Sequence, residues 1–201
     1  MGASTRSPEV AVVLAGGKSS RLGRDKAAVV LDGQALLARA AGLAGRFCPT
    51  VAVSGRDPSA LVPGLPWFLD ETPGLGPMGG IVTALERYRT PCLVLSCDLP
   101  LLDKATVETL LAAWREKPQD AVMTTFLQVE TGFIEALVSV YEPEAANVLR
   151  RANEEGCRKL SRAIPESLRH HVPYSVRDAL PFFNVNTPDD LERIRRSNFG
   201  D

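Results

Sequence analysis

The sequence predicts an α/β fold with a mostly parallel sheet and helices on both of its faces. Three observations predict it. Short, largely apolar runs such as Val10–Leu14 and Cys92–Cys97 suit strands buried on both faces. Amphipathic helical stretches alternate with those runs along the chain. The first run ends at Ala15-Gly16-Gly17, a strand-to-loop junction of the kind that closes parallel strands at a ligand crevice.

The elements follow in order. Residues 10–14 form the first strand. Residues 27–31 read as a short extended piece with a turn at Asp32-Gly33. Residues 34–47 read as a helix, with Leu36, Leu37, Ala40, Leu43 and Ala44 on one stripe. Residues 50–53 and 66–69 are two more strands, the second closed by Asp70-Glu71. The glycine- and proline-rich stretch TPGLGPMGG, residues 72–80, reads as a loop, and residues 81–88 as a helix. Residues 92–97 (CLVLSC) form the most apolar strand and stop at Asp98; Asp103 then caps a helix over 104–114. Residues 120–126 and 131–141 read as strands, 144–153 and 158–164 as helices, and 172–174 and 182–185 as extended pieces. A last helix starts at NTPDDLERI, where Thr187 can cap, Pro188 fits the first helical position, and Asp189 and Asp190 fall in the first turn.

Composition excludes several classes. The chain has 201 residues, is 45% hydrophobic and 23% charged, and carries a net charge of −1. One domain over residues 1–201 is expected, since a core of this size buries roughly 70% of the unfolded chain's surface. The balanced charge argues against nucleic-acid and anionic-membrane partners. No apolar run approaches the ~18–20 residues of a membrane span, and the polar first eight residues lack a signal peptide's apolar region. The four cysteines show no C-x-x-C spacing and the only histidines are the adjacent His170 and His171. A zinc site is therefore not expected; small buried thiols and surface histidines in a cytoplasmic protein are.

The positive charge is local. Lys18, Arg21, Arg24 and Lys26 follow the first strand against the single acid Asp25. Glycines let backbone N–H groups line an anion site, and Lys or Arg adds charge-assisted hydrogen bonds to phosphate. A basic loop by itself suits a solvated turn as well. Two common phosphate loops fail here. A Walker A loop needs glycine where Val12 stands, and G-x-G-x-x-G does not fit Gly16-Gly17-Lys18.

The stretch LAGGKSSRLGRDKA resembles L-A-G-G-x-S-x-R-x-G-x-D-K of the molybdenum cofactor guanylyltransferase (MobA) family, in the nucleotidyltransferase superfamily. Three further segments fall in the family's order: LDETPGLGPMGGI, SCDLPLL and PFFNVNTPDDL. The resemblance implies a three-layer αβα Rossmann-like nucleotidyltransferase fold. It also implies transfer of GMP from GTP to the terminal phosphate of molybdopterin, with Mg²⁺ as cofactor and pyrophosphate as the leaving product. Leu14, Ala15, Gly16 and Gly17 would line GTP, Arg21 and Lys26 would meet its phosphates, and Gly23 would shape the loop. Asp98 would hold the metal. Asp70, Gly76 and Gly79 would contact the nucleotide, with residues 76–80 as a loop around guanine. Ser54 stands where the family often has a nucleotide-facing asparagine. Asn184 and Asn186, alternating out of an extended piece, would face the acceptor.

The similarity is weakest over 120–176. Many family members carry a His-Pro-Thr-like segment there, whereas this chain has VETGFIEALVSVY, which leaves Glu130, Thr131 and Glu135 as acceptor-side candidates. GCRKL resembles the family's G-x-R-x-L, so Arg158 and Lys159 are candidates to attract the acceptor's phosphate. The resemblance further implies transient contact with molybdoenzymes or other cofactor-biosynthesis proteins. Two alternatives remain: a relative using CTP or a sugar phosphate, and an inactive nucleotide binder that delivers cofactor. Cytidylyl relatives read L-A-A-G and lack G-P-x-x-G, so Ala15-Gly16-Gly17 and Gly76-Pro77 favour guanine.

Overall fold

The computed structural model describes residues 7–16, 25–72 and 74–197. At its centre is β1 (Val10–Leu14), paired in parallel with β4 (Thr50–Ser54) on one side and β6 (Cys92–Ser96) on the other. The sheet extends through β5 (Trp67–Phe68) beside β4, and through β8 (Phe133–Tyr141), β7 (Met123–Gln128) and β9 (Arg169–Tyr174) beyond β6, in the order β5-β4-β1-β6-β8-β7-β9. Only β8 runs against the rest, antiparallel to both β6 and β7. Its start therefore lies at the edge of the sheet where the parallel strands end.

Alternation along β1 explains both covering layers. Val10, Val12 and Leu14 pack into one core with α2 (Pro77–Tyr88) and α4 (Ala145–Glu154). Ala11 and Val13 pack into the other with α1 (Leu36–Ala44) and α3 (Lys104–Arg115). A strand buried on both faces favours apolar side chains, which is why β1 is apolar throughout. Asp103 caps α3, accepting from the Thr106 N–H at 2.8 Å. A short α5 (Leu160–Ala163) follows α4. A smaller core joins Val29, Leu31, Leu36 and Val185 to Leu191 and Ile194 of α6 (Pro188–Ser197). Cys48, Cys92 and Cys97 are buried, and burial pushes each thiol up to about 12. No described helix is long and apolar enough to cross a membrane.

Four expectations shift. Residues 27–31 are a 3₁₀ turn (Lys26–Ala28) followed by β2 (Val30–Leu31), which pairs with β3 (Gln34–Ala35); α1 starts only at Leu36. The turn residues Asp32 and Gly33 both take positive φ, closing a hairpin that periodicity alone does not separate from a helix start. Helix α2 starts at Pro77, not at residue 81, because proline suits the first helical position and Gly76 at φ 59° makes the break before it. Gly79 and Gly80 thus belong to a helix rather than a loop. Residues 182–185 form no strand; Leu180–Phe182 is a 3₁₀ turn, and one backbone bond, Val185 N–H to the Asp98 carbonyl (2.9 Å), ties the next stretch down. His170 and His171 are half-buried along edge strand β9 rather than fully exposed.

At the ends of β1 and β4 the two backbones nearly touch. Gly55 has φ 94°, and a Cβ there would lie 2.5 Å from the Gly16 Cα. Gly55→Ala therefore combines a left-handed backbone with a collision against main chain, and we expect it to cost at least about 2 kcal/mol of stability in urea unfolding. A loss under about 0.5 kcal/mol would show that the two strand tips can separate freely.

Candidate active site

The crevice forms outside the C-terminal ends of the parallel strands. β1 lies between β4, the next strand of the sheet in chain order, and β6, to which the chain crosses back, so strand order reverses beside β1. Ligand crevices of open α/β sheets lie at such a point. A cavity of about 430 Å³ opens there, lined by Leu14, Gly16, Ser54, Gly55, Leu69, Asp70, Gly76, Pro77, Gly80, Ser96, Asp98 and Leu137. Side by side with it is a second cavity of about 390 Å³, which shares Pro77, Ser96, Asp98 and Leu137 and extends to Glu135, Arg158, Lys159, Phe182 and Asn184. Asp98 stands where the two meet.

Asp98 follows β6 directly, which carries its carboxylate to the crevice. Ser96 Oγ donates to Asp98 Oδ1 at 2.6 Å, and Lys26 Nζ donates to Asp98 Oδ2 at 2.8 Å. The Lys26 and Asp98 side chains are only 19% and 14% exposed, so this is no screened surface pair. Lys26 Nζ also donates to Asn186 Oδ1 at 2.9 Å. Three distant stretches thus meet on one ammonium group.

Local chemistry fixes each partner. Asp25 caps the 3₁₀ turn that begins at Lys26, accepting from the Ala27 N–H at 3.1 Å. Its Oδ1 also pairs with the Arg56 guanidinium, whose hydrogen bond holds the carboxyl below the usual range. Asn186 is set by the start of α6. The Asp190 carboxylate accepts from the N–H groups of Asn186 and Thr187 at 2.9 and 2.8 Å, and the Asp190 N–H donates back to Thr187 Oγ1 at 3.2 Å. The arrangement is a capping box. Asn184 lines the second cavity, with buried Val185 between the two amides.

On the far wall, Ser54 Oγ donates to Asp70 Oδ1 at 3.4 Å. Burial raises the Asp70 carboxyl above its ordinary value, and the serine hydrogen bond only partly opposes this. Helix α2 packs directly under this pair. A Cβ at Gly80 would lie 2.3 Å from Ser54 Oγ, and one at Gly79 would lie 2.9 Å from Asp70 Oδ2. Both glycines are required for that approach, but only Gly80 lines the first cavity; Gly79 faces Asp70 from behind it.

Of the residues expected at the site, Leu14, Gly16, Ser54, Asp70, Gly76 and Asp98 line the first cavity. Ala15 is held at its rim, its N–H bonded to the Ser54 carbonyl at 3.0 Å. Gly17, Lys18, Arg21 and Gly23 lie outside the described residues. Among the described residues, no group of three or more His, Cys, Asp and Glu side chains converges as a metal site. Gly80, expected within the loop over 76–80, lines the first cavity from a helix instead; sequence reasoning missed Gly55 and Arg56. The Ser54-Gly55 pair after an apolar strand repeated the Ala15-Gly16 pattern after β1 and was the available signal for the first. Glu130 and Thr131 stay on the β7–β8 turn, with Glu130 accepting from the Val176 N–H; Glu135 instead reaches the second cavity, accepting from the Tyr174 hydroxyl at 2.5 Å.

Comparison with known proteins bears on the family and the fold. The family described as MobA-like NTP transferase domain matches residues 11–172. A molybdenum cofactor biosynthesis bifunctional protein of Synechocystis sp. is 36% identical over 94% of this chain, which spans 54% of that protein's length. A probable molybdenum cofactor guanylyltransferase of Chloroflexus aggregans is 34% identical, with 92% of each chain covered. The crystal structure of molybdopterin-guanine dinucleotide biosynthesis protein A from Archaeoglobus fulgidus superposes with a TM-score of 0.76 at 27% identity, covering 94% of this chain and 98% of that one.

The raised Asp70 carboxyl gives a stability test. An acid whose folded-state affinity for its proton is raised costs stability once pH climbs above the unfolded-state value, and that cost vanishes below it. Asp70→Asn keeps the acceptor for Ser54 and removes the charge. At pH 7 the variant should be as stable as the wild-type protein or more so, and any gain should shrink as pH falls through the ordinary carboxylate range. A clear loss of thermal midpoint at pH 7 would overturn the burial argument.

Proposed function

The chain belongs to the MobA-like NTP transferase domain family, and from that premise we propose that it transfers GMP from GTP to the terminal phosphate of molybdopterin, releasing pyrophosphate. The observation that carries this reading is the continuity of two cavities through Asp98, with Lys26 paired to it. A two-substrate phosphoryl transfer needs two compartments that meet at one reacting centre, and it needs charge neutralisation at that point.

GTP would occupy the first cavity. The base would lie against the Gly76-Pro77 entry to α2 and Gly80, and the phosphates near Gly16 and Lys26. The acceptor would occupy the second cavity with its phosphate directed toward Asp98. An acceptor phosphate oxygen attacks the α-phosphorus; the new P–O bond forms as the bond to the β-phosphate oxygen breaks, and pyrophosphate leaves. No general base is required, since a phosphate monoester is already ionised near neutral pH.

The donor set fits Mg²⁺. A hard cation of this kind takes one or two carboxylates and completes its shell with phosphate oxygens and water, and Ser96 already orients the Asp98 carboxylate toward the crevice. When bound, the ion supplies charge neutralisation at the phosphate oxygens. Lys26 exchanges its carboxylate partner for phosphate when the nucleotide enters, and Asn186 keeps its ammonium group at the crevice. Arg21 and Gly17 would complete the phosphate loop. The same reading places the protein in the cytoplasm, in transient contact with the enzymes that receive the product.

Asp98→Asn should abolish pyrophosphate release, by at least about 10²-fold in kcat, while leaving the fold intact by circular dichroism. The assay is run with molybdopterin and each of the four nucleoside triphosphates. GTP should be preferred. Release with CTP alone would shift the assignment to a cytidylyl enzyme, and GTP binding with no release by the wild-type protein would leave a nucleotide-binding carrier.

A further inference from the structure

Glu135 sits in an unusual environment for a carboxylate. It stands at the start of β8, the one strand that runs against the others, so it emerges at the same sheet edge as Asp98. In the second cavity it and Asp98 are the two acidic linings. Burial raises its carboxyl above the ordinary value, and the hydrogen bond from Tyr174 only partly offsets this. Among the described residues no Lys or Arg pairs with it; its partner is the neutral Tyr174 hydroxyl, at 2.5 Å.

The group is also fixed from several directions. Ser139 Oγ donates to the Glu135 backbone carbonyl at 2.9 Å and accepts from the Thr125 hydroxyl at 2.8 Å, holding β8 where its pairing with β7 shifts register between Thr125 and Leu127. The Tyr174 ring lies against Phe126 and Phe182, with centroids 6.2 and 4.6 Å away. A half-buried carboxylate held this firmly, with no cation paired to it among the described residues, and set beside the apolar linings of a cavity that Arg158 and Lys159 also reach, suits a ligand that brings neighbouring N–H donors.

We infer that Glu135 is the specificity-determining residue of the acceptor cavity, reading the paired ring N–H and 2-amino donors of the pterin, with Tyr174 as its positioning residue. The inference rests on the acceptor assignment made above. In this arrangement the anionic tail of the acceptor points to Asp98 and Lys26, while the ring lies across the apolar floor of Ile134, Ala136 and Leu137 beside Phe182.

The test separates the two compounds that differ at this edge. Binding of pterin and of lumazine, its 2-oxo counterpart, is measured by competition in the presence of GTP, for the wild-type protein, Glu135→Gln and Tyr174→Phe. Wild type should prefer pterin by at least about tenfold, the scale of one charged hydrogen bond. Glu135→Gln should reduce that preference below about threefold. It should raise the KM for molybdopterin by about tenfold or more, with kcat and the KM for GTP held within about threefold. Tyr174→Phe should move the preference in the same direction by a smaller factor, and thermal midpoints confirm that both variants are folded. Pyrophosphate release together with a preference that Glu135→Gln leaves unchanged, or no preference in wild type, overturns the role of Glu135 alone. No release from wild type with any nucleotide overturns the proposed reaction, and the acceptor assignment with it.

Discussion

The crevice is organised around one carboxylate. Asp98 takes the Ser96 hydroxyl on one oxygen and the Lys26 ammonium on the other, and its backbone carbonyl takes the N–H of Val185. Those three contacts join the central strand to the end of the first loop and to the segment entering the last helix. None of these stretches is near another in sequence. Each comes with its own local lock: Asp25 capping the turn at Lys26, Ser96 ending a fully buried strand, and the Thr187–Asp190 box holding Asn186. The network is therefore assembled from pieces that each carry hydrogen bonds or burial of their own in the folded chain. Such preorganisation is what lets a charged group act without first paying for its own ordering.

The opposite wall uses close approach rather than charge. Gly16 and Gly55 let two strand tips nearly touch, and Gly79 and Gly80 let a helix settle against Ser54 and Asp70. The result is a narrow slot with polar atoms at its back. Removing side chains brings the backbone and a buried carboxylate to the cavity surface. It also explains why glycine appears in the first turn of a helix, a position where it otherwise weakens the element.

How much of this was legible in the sequence depended on whether the signal was local. β1 and β6 read as strands because both of their faces are buried, and the α6 entry read as a capped helix because its signal lies within four residues. The start of α2 was misread: Met-Gly-Gly after a proline has the composition of a loop, and the demand for glycine comes from Asp70 across the chain. Residues 27–35 were misread for a related reason, since a hairpin of two-residue strands is too short for periodicity to separate from a helix start. The reversal of β8 left no mark in its apolar run, because direction within a sheet is set by neighbours and not by composition. With direction unknown, Glu135 could be put at neither end of the sheet.

That reversal also decides which residues can become specific. The ends of the parallel strands bring Gly16, Asp70 and Asp98 to the first cavity. A strand running the other way brings its beginning to the same edge, and its beginning is adjacent to a turn that can vary without disturbing the core. Glu135 lies two residues after β8 begins at Phe133, yet its carbonyl is anchored by Ser139 and its carboxylate by Tyr174. The position is thus next to a turn yet fixed in space by two hydrogen bonds. On the proposed reading, a phosphate-side centre on the parallel strands and an acceptor reader on the antiparallel one are separate pieces of the fold, which fits a first loop that matches the family's pattern beside a segment over 130–135 that departs from it.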